Sequence, residues 1–346
     1  MIHNFPNKRK RHCETGVFVN MLEYYGCEIS ESMIFGIGSG LHFIYSPFYK
    51  TQKTIYPILR VRPTAIVRKA CDRLNISYHE MSFGNNADKA SRVLDTLLEK
   101  DIPVGLVVNV KELEYFNVAG GGIDFNGHIF SALGKDGDNY VIADTDNRLP
   151  NDDYILLDDK ILRRIRFTPG FSAPRGRMFY IDPLQEDYSV SKEILRDSAI
   201  KGISDTCNII LRRPIWFIGA GVKGFHYFAK DLRRWESKYS PREISMRFMW
   251  YYKLIERAGT GGAGYRFIYA DFLKETAKML HDDMIDSAAC KMLDNAELWR
   301  NFTLYCRRYL KKDSGVTINE IADILDSIGD MEYNIFRNLD KYVKNK

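Results

Sequence analysis

A thiol, an imidazole and a carboxylate are the parts of nucleophilic acyl transfer, and the chain offers them at Cys13, His128 and Asp144. Cys13 opens a segment with Val17, Met21, Leu22 and Tyr25 at helical spacing and Gly26 as its stop. A helix start presents unpaired N–H groups and a partial positive charge. Both favour a thiolate there and can stabilise an oxyanion on an attacked carbonyl. The alternative for a lone cysteine is a small buried hydrophobe. That reading is assigned to Cys27, Cys71, Cys207, Cys290 and Cys306, which lie in or beside apolar helical patterns.

His128 follows Gly127 and enters the apolar run Ile129–Leu133. A histidine entering a strand is by type more often a core or edge residue than a base. Its standing rises because the next strand, Tyr140–Asp144, returns a carboxylate to the same end of the hairpin. Neighbours on one face of an antiparallel pair approach within about 5 Å. Cys13 joins them only in the fold.

The elements that must position these residues are legible in outline. Helices are expected over 13–25, 31–35, 63–74 and 87–100, and strands over 103–110, 127–134, 140–144 and 177–182. The turn Gly134–Asn139 has hairpin spacing. Helices first and antiparallel strands afterwards imply an α+β domain. From Tyr188 onward the period is helical, over 191–205, 223–237, 241–257, 266–281, 288–310 and 318–342. The boundary is placed near 185, giving a domain over 1–185 and an all-helical domain over 186–346.

Length and composition agree. The chain has 346 residues, 45% apolar and 27% charged, enough for two globular domains and inconsistent with disorder. No window approaches ~18 apolar residues, so no membrane span is expected, and the basic start lacks the apolar stretch of a secretory signal. Six cysteines without paired spacing argue against a disulfide framework or a zinc site and for a reduced, cytoplasmic protein. His42, His79, His226 and His281 show no metal-ligand spacing, and neither metal nor cofactor is expected. Net charge +5 is too modest for a nucleic-acid footprint. The 21 Tyr and 20 Phe fill cores or line a pocket.

Two blocks carry a resemblance. Arg11-His-Cys-Glu-Thr-Gly-Val-Phe-Val-Asn-Met-Leu-Glu-Tyr-Tyr-Gly26 with Ser30-Glu-Ser-Met-Ile-Phe-Gly-Ile-Gly-Ser-Gly-Leu-His-Phe-Ile-Tyr45, then Gly127-His-Ile-Phe and Ala143-Asp144, resemble the N-terminal domain of the butirosin biosynthesis protein H family. Gly259-Thr-Gly-Gly-Ala-Gly-Tyr-Arg266 and Phe272-Leu-Lys-Glu-Thr-Ala are similar to the helical domain that commonly follows it. The resemblance implies a papain-like cysteine-peptidase fold related to bacteriocin-processing peptidases. It also implies amide-forming transfer of an aminoacyl group from a carrier-protein thioester to an aminoglycoside amine. Matched by position, the nucleophile is Cys13, the base His128 and the orienting acid Asp144. Asp146 is the runner-up acid, two residues on and so on the same strand face. Related enzymes often place a glutamine a few residues before the cysteine for the oxyanion hole; here Asn7 stands six residues upstream, as the candidate for that role.

Other segments have plainer readings. Gly36–Gly40 lacks the preceding strand and Lys-Ser/Thr ending of a phosphate loop and is read as a tight chain reversal near the nucleophile. Gly259–Gly264 is an interhelical connection, or an anion site for a carrier-arm phosphate. Lys8–Arg11 is a solvated run, or steers an acyl carrier protein. Met246–Tyr252 builds core or an interdomain seam. The resulting expectation is a cysteine acyltransferase with a carrier-protein donor and a small-molecule amine acceptor, its helical domain capping the cleft. A peptidase or amide hydrolase using the same residues is the first alternative, and a non-catalytic binding module the second.

Overall fold

The structure, a computed structural model, describes residues 2–46, 50–51, 54–55, 57–117, 124–146, 154–185, 188–212, 219–257, 259–311 and 315–345. The glycine-rich stretch 118–123 before His128 lies outside them. Two helices, α1 (Cys13–Tyr24) and α2 (Glu31–Ile37), precede short strands β1 (Leu41–Tyr45), β2 (Lys50–Thr51), β3 (Thr54–Ile55) and β4 (Ile58–Arg60). Then come α3 (Ala65–Leu74), β5 (Tyr78–Met81), α4 (Ala87–Leu98), β6 (Val104–Asn109), α5 (Glu114–Asn117), β7 (Asn126–Asp136) and β8 (Asn139–Ala143). The strand β9 (Ile155–Asp158), helix α6 (Asp159–Arg166) and strand β10 (Met178–Ile181) follow. The remainder is helical apart from the two-residue β11 (Gly219–Ala220). It comprises α7 (Lys192–Arg212), α8 (Val222–Leu232), α9 (Trp235–Lys238), α10 (Pro241–Tyr252), α11 (Arg266–Leu280), α12 (Asp283–Tyr309) and α13 (Ile318–Val343). The protein is thus α+β, with antiparallel sheet in its first half and helices in its second.

Two compact units divide the chain, and they are not consecutive. The first comprises Met1–Ile34 and Arg62–Leu195; the second comprises Phe35–Val61 and Arg196–Lys346. This differs from the single crossing placed near 185. The segment Phe35–Val61 folds with the C-terminal helices because its apolar strand β1 finds partners there: it pairs with β11 and β4 in a three-stranded antiparallel sheet, and Phe43 stacks on Phe225 at 3.8 Å.

The first unit is built on a six-stranded sheet in the order β5-β10-β6-β7-β8-β9, with every neighbouring pair antiparallel. The apolar run expected as a buried strand is β6, buried along its length. The β7–β8 hairpin closes through Gly137-Asp138, where Gly137 takes φ 58, a conformation that favours glycine. Periodicity predicts an amphipathic α1, yet Glu14 to Leu22 are buried without a break, because α1 packs against both α3 and β7. It is a core helix, and its polar residues must therefore find partners inside the protein.

In the second unit the aromatic excess becomes core. Tyr45 stacks on Phe228 at 4.1 Å, and Trp235, Tyr251, Trp299 and Phe302 are all buried. Within 246–252, Arg247, Phe248 and Tyr251 face inward while Met246 and Met249 are exposed. Gly36 is needed for contact: a Cβ there would lie 2.0 Å from the Phe272 ring. The 36–40 run does reverse the chain, through Ser39 N–H donating to Gly36 O and Gly40 N–H to Phe35 O. No described helix is long and apolar enough to cross a membrane.

Candidate active site

Cys13 is the first residue of α1 and is half-buried. His12, ahead of it, is extended (φ −137, ψ 130) and makes no side-chain cap. The capping is supplied from α2. Glu31 accepts the His12 N–H at 2.8 Å and the Thr15 hydroxyl at 3.1 Å through Oε1, and the Arg11 N–H at 3.1 Å through Oε2. On the other side of the thiol, Glu14 is fully buried. Its Oε1 accepts the N–H groups of Ile66 at 2.9 Å and Val67 at 3.2 Å, at the start of α3. Two carboxylates therefore fix the backbone on both sides of Cys13, each using helix-terminal N–H groups that lack an intrahelical partner.

His128 stands near the start of β7, and Asp144 one residue past the end of β8. The register aligns Ser131 with Ala143, which returns the carboxylate towards the imidazole. His128 Nε2 donates to Asp144 Oδ2 at 2.7 Å, and the Cys13 thiol is near enough to the same ring to act on it electrostatically. With Nε2 committed to the acid, Nδ1 is the nitrogen left for the thiol. Burial pulls the imidazole towards its neutral form, but Asp144 and Cys13 outweigh it and carry the His128 pKa from 6.5 to about 10. The ring of Phe116 sits edge-on to His128, centroids 4.8 Å apart.

The Asp144 side chain is sealed from solvent and receives two further donors. Tyr115 donates its hydroxyl to Oδ2 at 2.7 Å, and the Asp146 N–H reaches Oδ1 at 3.0 Å. Of the two candidate acids, the imidazole contact belongs to Asp144; Asp146 contributes its backbone. Asp146 also bridges to Lys10, and Lys10 N–H donates to Thr145 O at 3.0 Å. Gly16 makes this approach feasible, since a Cβ there would fall 2.7 Å from Lys10 Cβ and 2.8 Å from Thr145 Oγ1.

The structure thus brings Cys13, His128 and Asp144 into one cluster. Asn7 lies half-buried in the extended run before α1. Glu14, Glu31 and Tyr115 were missed by sequence reasoning. Glu31 was visible only as an acidic residue at a helix start, and Tyr115 by no local signal. Among the other cysteines, Cys27, Cys71, Cys207 and Cys306 are buried as expected, whereas Cys290 is exposed. Burial pushes the Cys27, Cys71 and Cys306 thiols up, away from thiolate.

Two basic or glycine-rich features are already satisfied internally. Lys8 is paired with Glu23, and Arg11 approaches Glu31 at 3.8 Å. In the 259–264 loop, Ala263 N–H donates to the carboxylate of Glu256, and Gly262 N–H to Thr260 Oγ1 at 3.2 Å. Two N–H groups of this loop are thus taken by side chains of its own chain.

Comparison with known families places these residues in context. The family described as Butirosin biosynthesis protein H, N-terminal, matches residues 12–145, which include Cys13, His128 and Asp144. The family described as Domain of unknown function (DUF4872) matches residues 160–339, more than half the chain. No curated protein matches the chain.

Proposed function

Because the chain belongs to the butirosin biosynthesis protein H family, we propose that it is a cysteine acyltransferase that forms an amide from a thioester donor and an amine acceptor. The observation that carries the reading is the ring of His128, held at 2.7 Å by Asp144 on Nε2 with Cys13 beside it. This order of acid, imidazole and thiol also supports the papain-like assignment of the first unit.

In the proposed reaction the Cys13 sulfur, as thiolate, attacks the thioester carbonyl. The oxyanion that forms lies against the N–H of the first turn of α1, with the Asn7 amide as the candidate second donor. The carbon–sulfur bond to the donor breaks, and the donor thiol leaves with a proton from His128. The incoming amine then attacks the acyl-enzyme, His128 Nδ1 takes the amine proton, and the Cys13 sulfur is released as the amide forms. One thioester and one amine become one amide and one thiol. Asp144 keeps the imidazole in the needed orientation and supports its cation. A carrier-protein thioester is the proposed donor and a small-molecule amine the acceptor.

The test is transfer from an acylated carrier-arm thioester to added amines, followed by mass spectrometry. Wild type is expected to form a Cys13-linked acyl adduct and then the amide, while Cys13→Ala and His128→Ala are folded and inactive. Turnover retained in either variant rejects the assignment. Faster hydrolysis than transfer for every amine tried selects the hydrolase reading, and no adduct at Cys13 selects the binding module.

A further inference from the structure

Asp144 Oδ2 accepts two hydrogen bonds of equal length, from His128 Nε2 and from the Tyr115 hydroxyl, each 2.7 Å. The carboxylate is buried, and an ionised acid in such a site is stable only if its lone pairs are met by donors. Asp146 N–H meets Oδ1. Tyr115 therefore supplies the donor that, together with that N–H, fixes the plane of the carboxylate so that Oδ2 keeps facing the imidazole. The ring of the next residue, Phe116, lies edge-on to His128. Consecutive side chains of the four-residue α5 thus hold the acid and flank the base.

We infer that Tyr115 is a positioning residue of the cluster, acting through Asp144 to keep His128 oriented towards Cys13. Its hydroxyl acts on the carboxylate. The kinetic consequence rests on the acyl-transfer reading, but the geometric one does not: it concerns His128 whatever the reaction.

Two physical effects have opposite signs here, which makes the inference testable. If Tyr115 orients the acid, Tyr115→Phe lets the carboxylate turn away, and the imidazolium loses support. If the hydroxyl merely dilutes the charge on Oδ2, its removal makes Asp144 a better acceptor and supports the imidazolium more. The experiment is the titration of His128 in full-length protein by NMR of labelled imidazole, in wild type, Tyr115→Phe and Tyr115→Leu, the second variant guarding against a folding defect in the first. The expected result is a fall of about one pH unit, a tenfold change in the proton equilibrium, with thermal unfolding changed little in the Phe variant. An unmoved or raised His128 titration overturns the inference. Where amide formation is measurable, kcat is expected to fall about tenfold with KM unchanged. If no turnover is found in any form, the acyl-transfer reading fails while the titration still decides the role of Tyr115.

Discussion

The Glu14 carboxylate accepts the backbone N–H of Ile66 at 2.9 Å, joining the residue after Cys13 to the first turn of a helix 52 positions further on. That bond, with its neighbour to Val67, makes the N-terminus of α3 part of the support for the backbone around Cys13. Glu14→Ala deletes the oxygen that accepts both bonds and leaves two buried N–H groups without that partner. The expected loss is about 1.5–3 kcal/mol, the range for hydrogen bonds to a charged group. Urea unfolding measures it, and a change below ~0.5 kcal/mol would show that water replaces the carboxylate.

The acid assignment separates by substitution. Asp144→Asn removes the charge beside His128, whereas Asp146→Asn keeps the backbone N–H that serves Oδ1. Since His128 is raised from 6.5 to about 10, its contribution to stability is complete below the unfolded value. It declines as pH climbs from there through about 10, at up to ~1.4 kcal/mol per pH unit. Unfolding measured between pH 6 and 10 should show this slope in wild type and in Asp146→Asn, and a much flatter one in Asp144→Asn. Equal slopes in all three would remove Asp144 from its place beside His128.

Gly16 lies one turn on from the thiol and has no room for a methyl group. Gly16→Ala must displace the Lys10 backbone or the 144–146 segment, a strain of about 1–3 kcal/mol, and it moves Asp144 relative to Cys13. Cys13 alkylation by iodoacetamide at neutral pH is therefore expected to slow in Gly16→Ala. Gly137→Ala, which meets open space at its Cβ and strains only a surface turn, is expected to leave the rate unchanged.

In the second unit Arg266 and Glu332 are both fully buried and bonded through Nε–Oε1 at 2.7 Å and Nη2–Oε2 at 3.2 Å. The guanidinium lies 5.0 Å from the Trp299 ring and also donates to Gly264 O. Glu332→Ala leaves that cation unpaired and is expected to cost about 3–5 kcal/mol. Arg266→Met combined with Glu332→Leu should recover most of the loss. A double variant as unstable as the single one would mean that the bond to Gly264 O is the larger contribution.

Much of this was legible in the residues, for definite reasons. Cys13, His128 and Asp144 sit at element ends that local pattern marks well: the helix opening at Cys13, the strand after Gly127, the hairpin returning to Asp144. The long C-terminal helices were legible because the apolar period persists over many turns, as in α12 and α13. The start of α3 was placed at Pro63, but Thr64 takes a left-handed conformation (φ 71) and the helix begins after it. Strand β5 escaped notice because its four residues are all half-buried, so no alternation marks a face. Glu14, Glu31 and Tyr115 escaped because their partners are brought to them only by the tertiary fold, and a carboxylate inside an apolar helix carries no local sign of what it will bind.

The loan of residues 35–61 from one unit to the other has a practical corollary for dissecting this protein. A fragment ended at 185 would keep Leu41, Phe43 and Tyr45, all wholly buried in the intact chain, yet lose the α8 and β11 surface against which they pack. Such a piece would display a sticky apolar ribbon with open strand edges and is expected to precipitate. Grafting the C-terminal half onto a relative therefore means transplanting that ribbon with it, and minimal-domain expression calls for excising 35–61 and bridging Ile34 to Arg62 with a flexible tether.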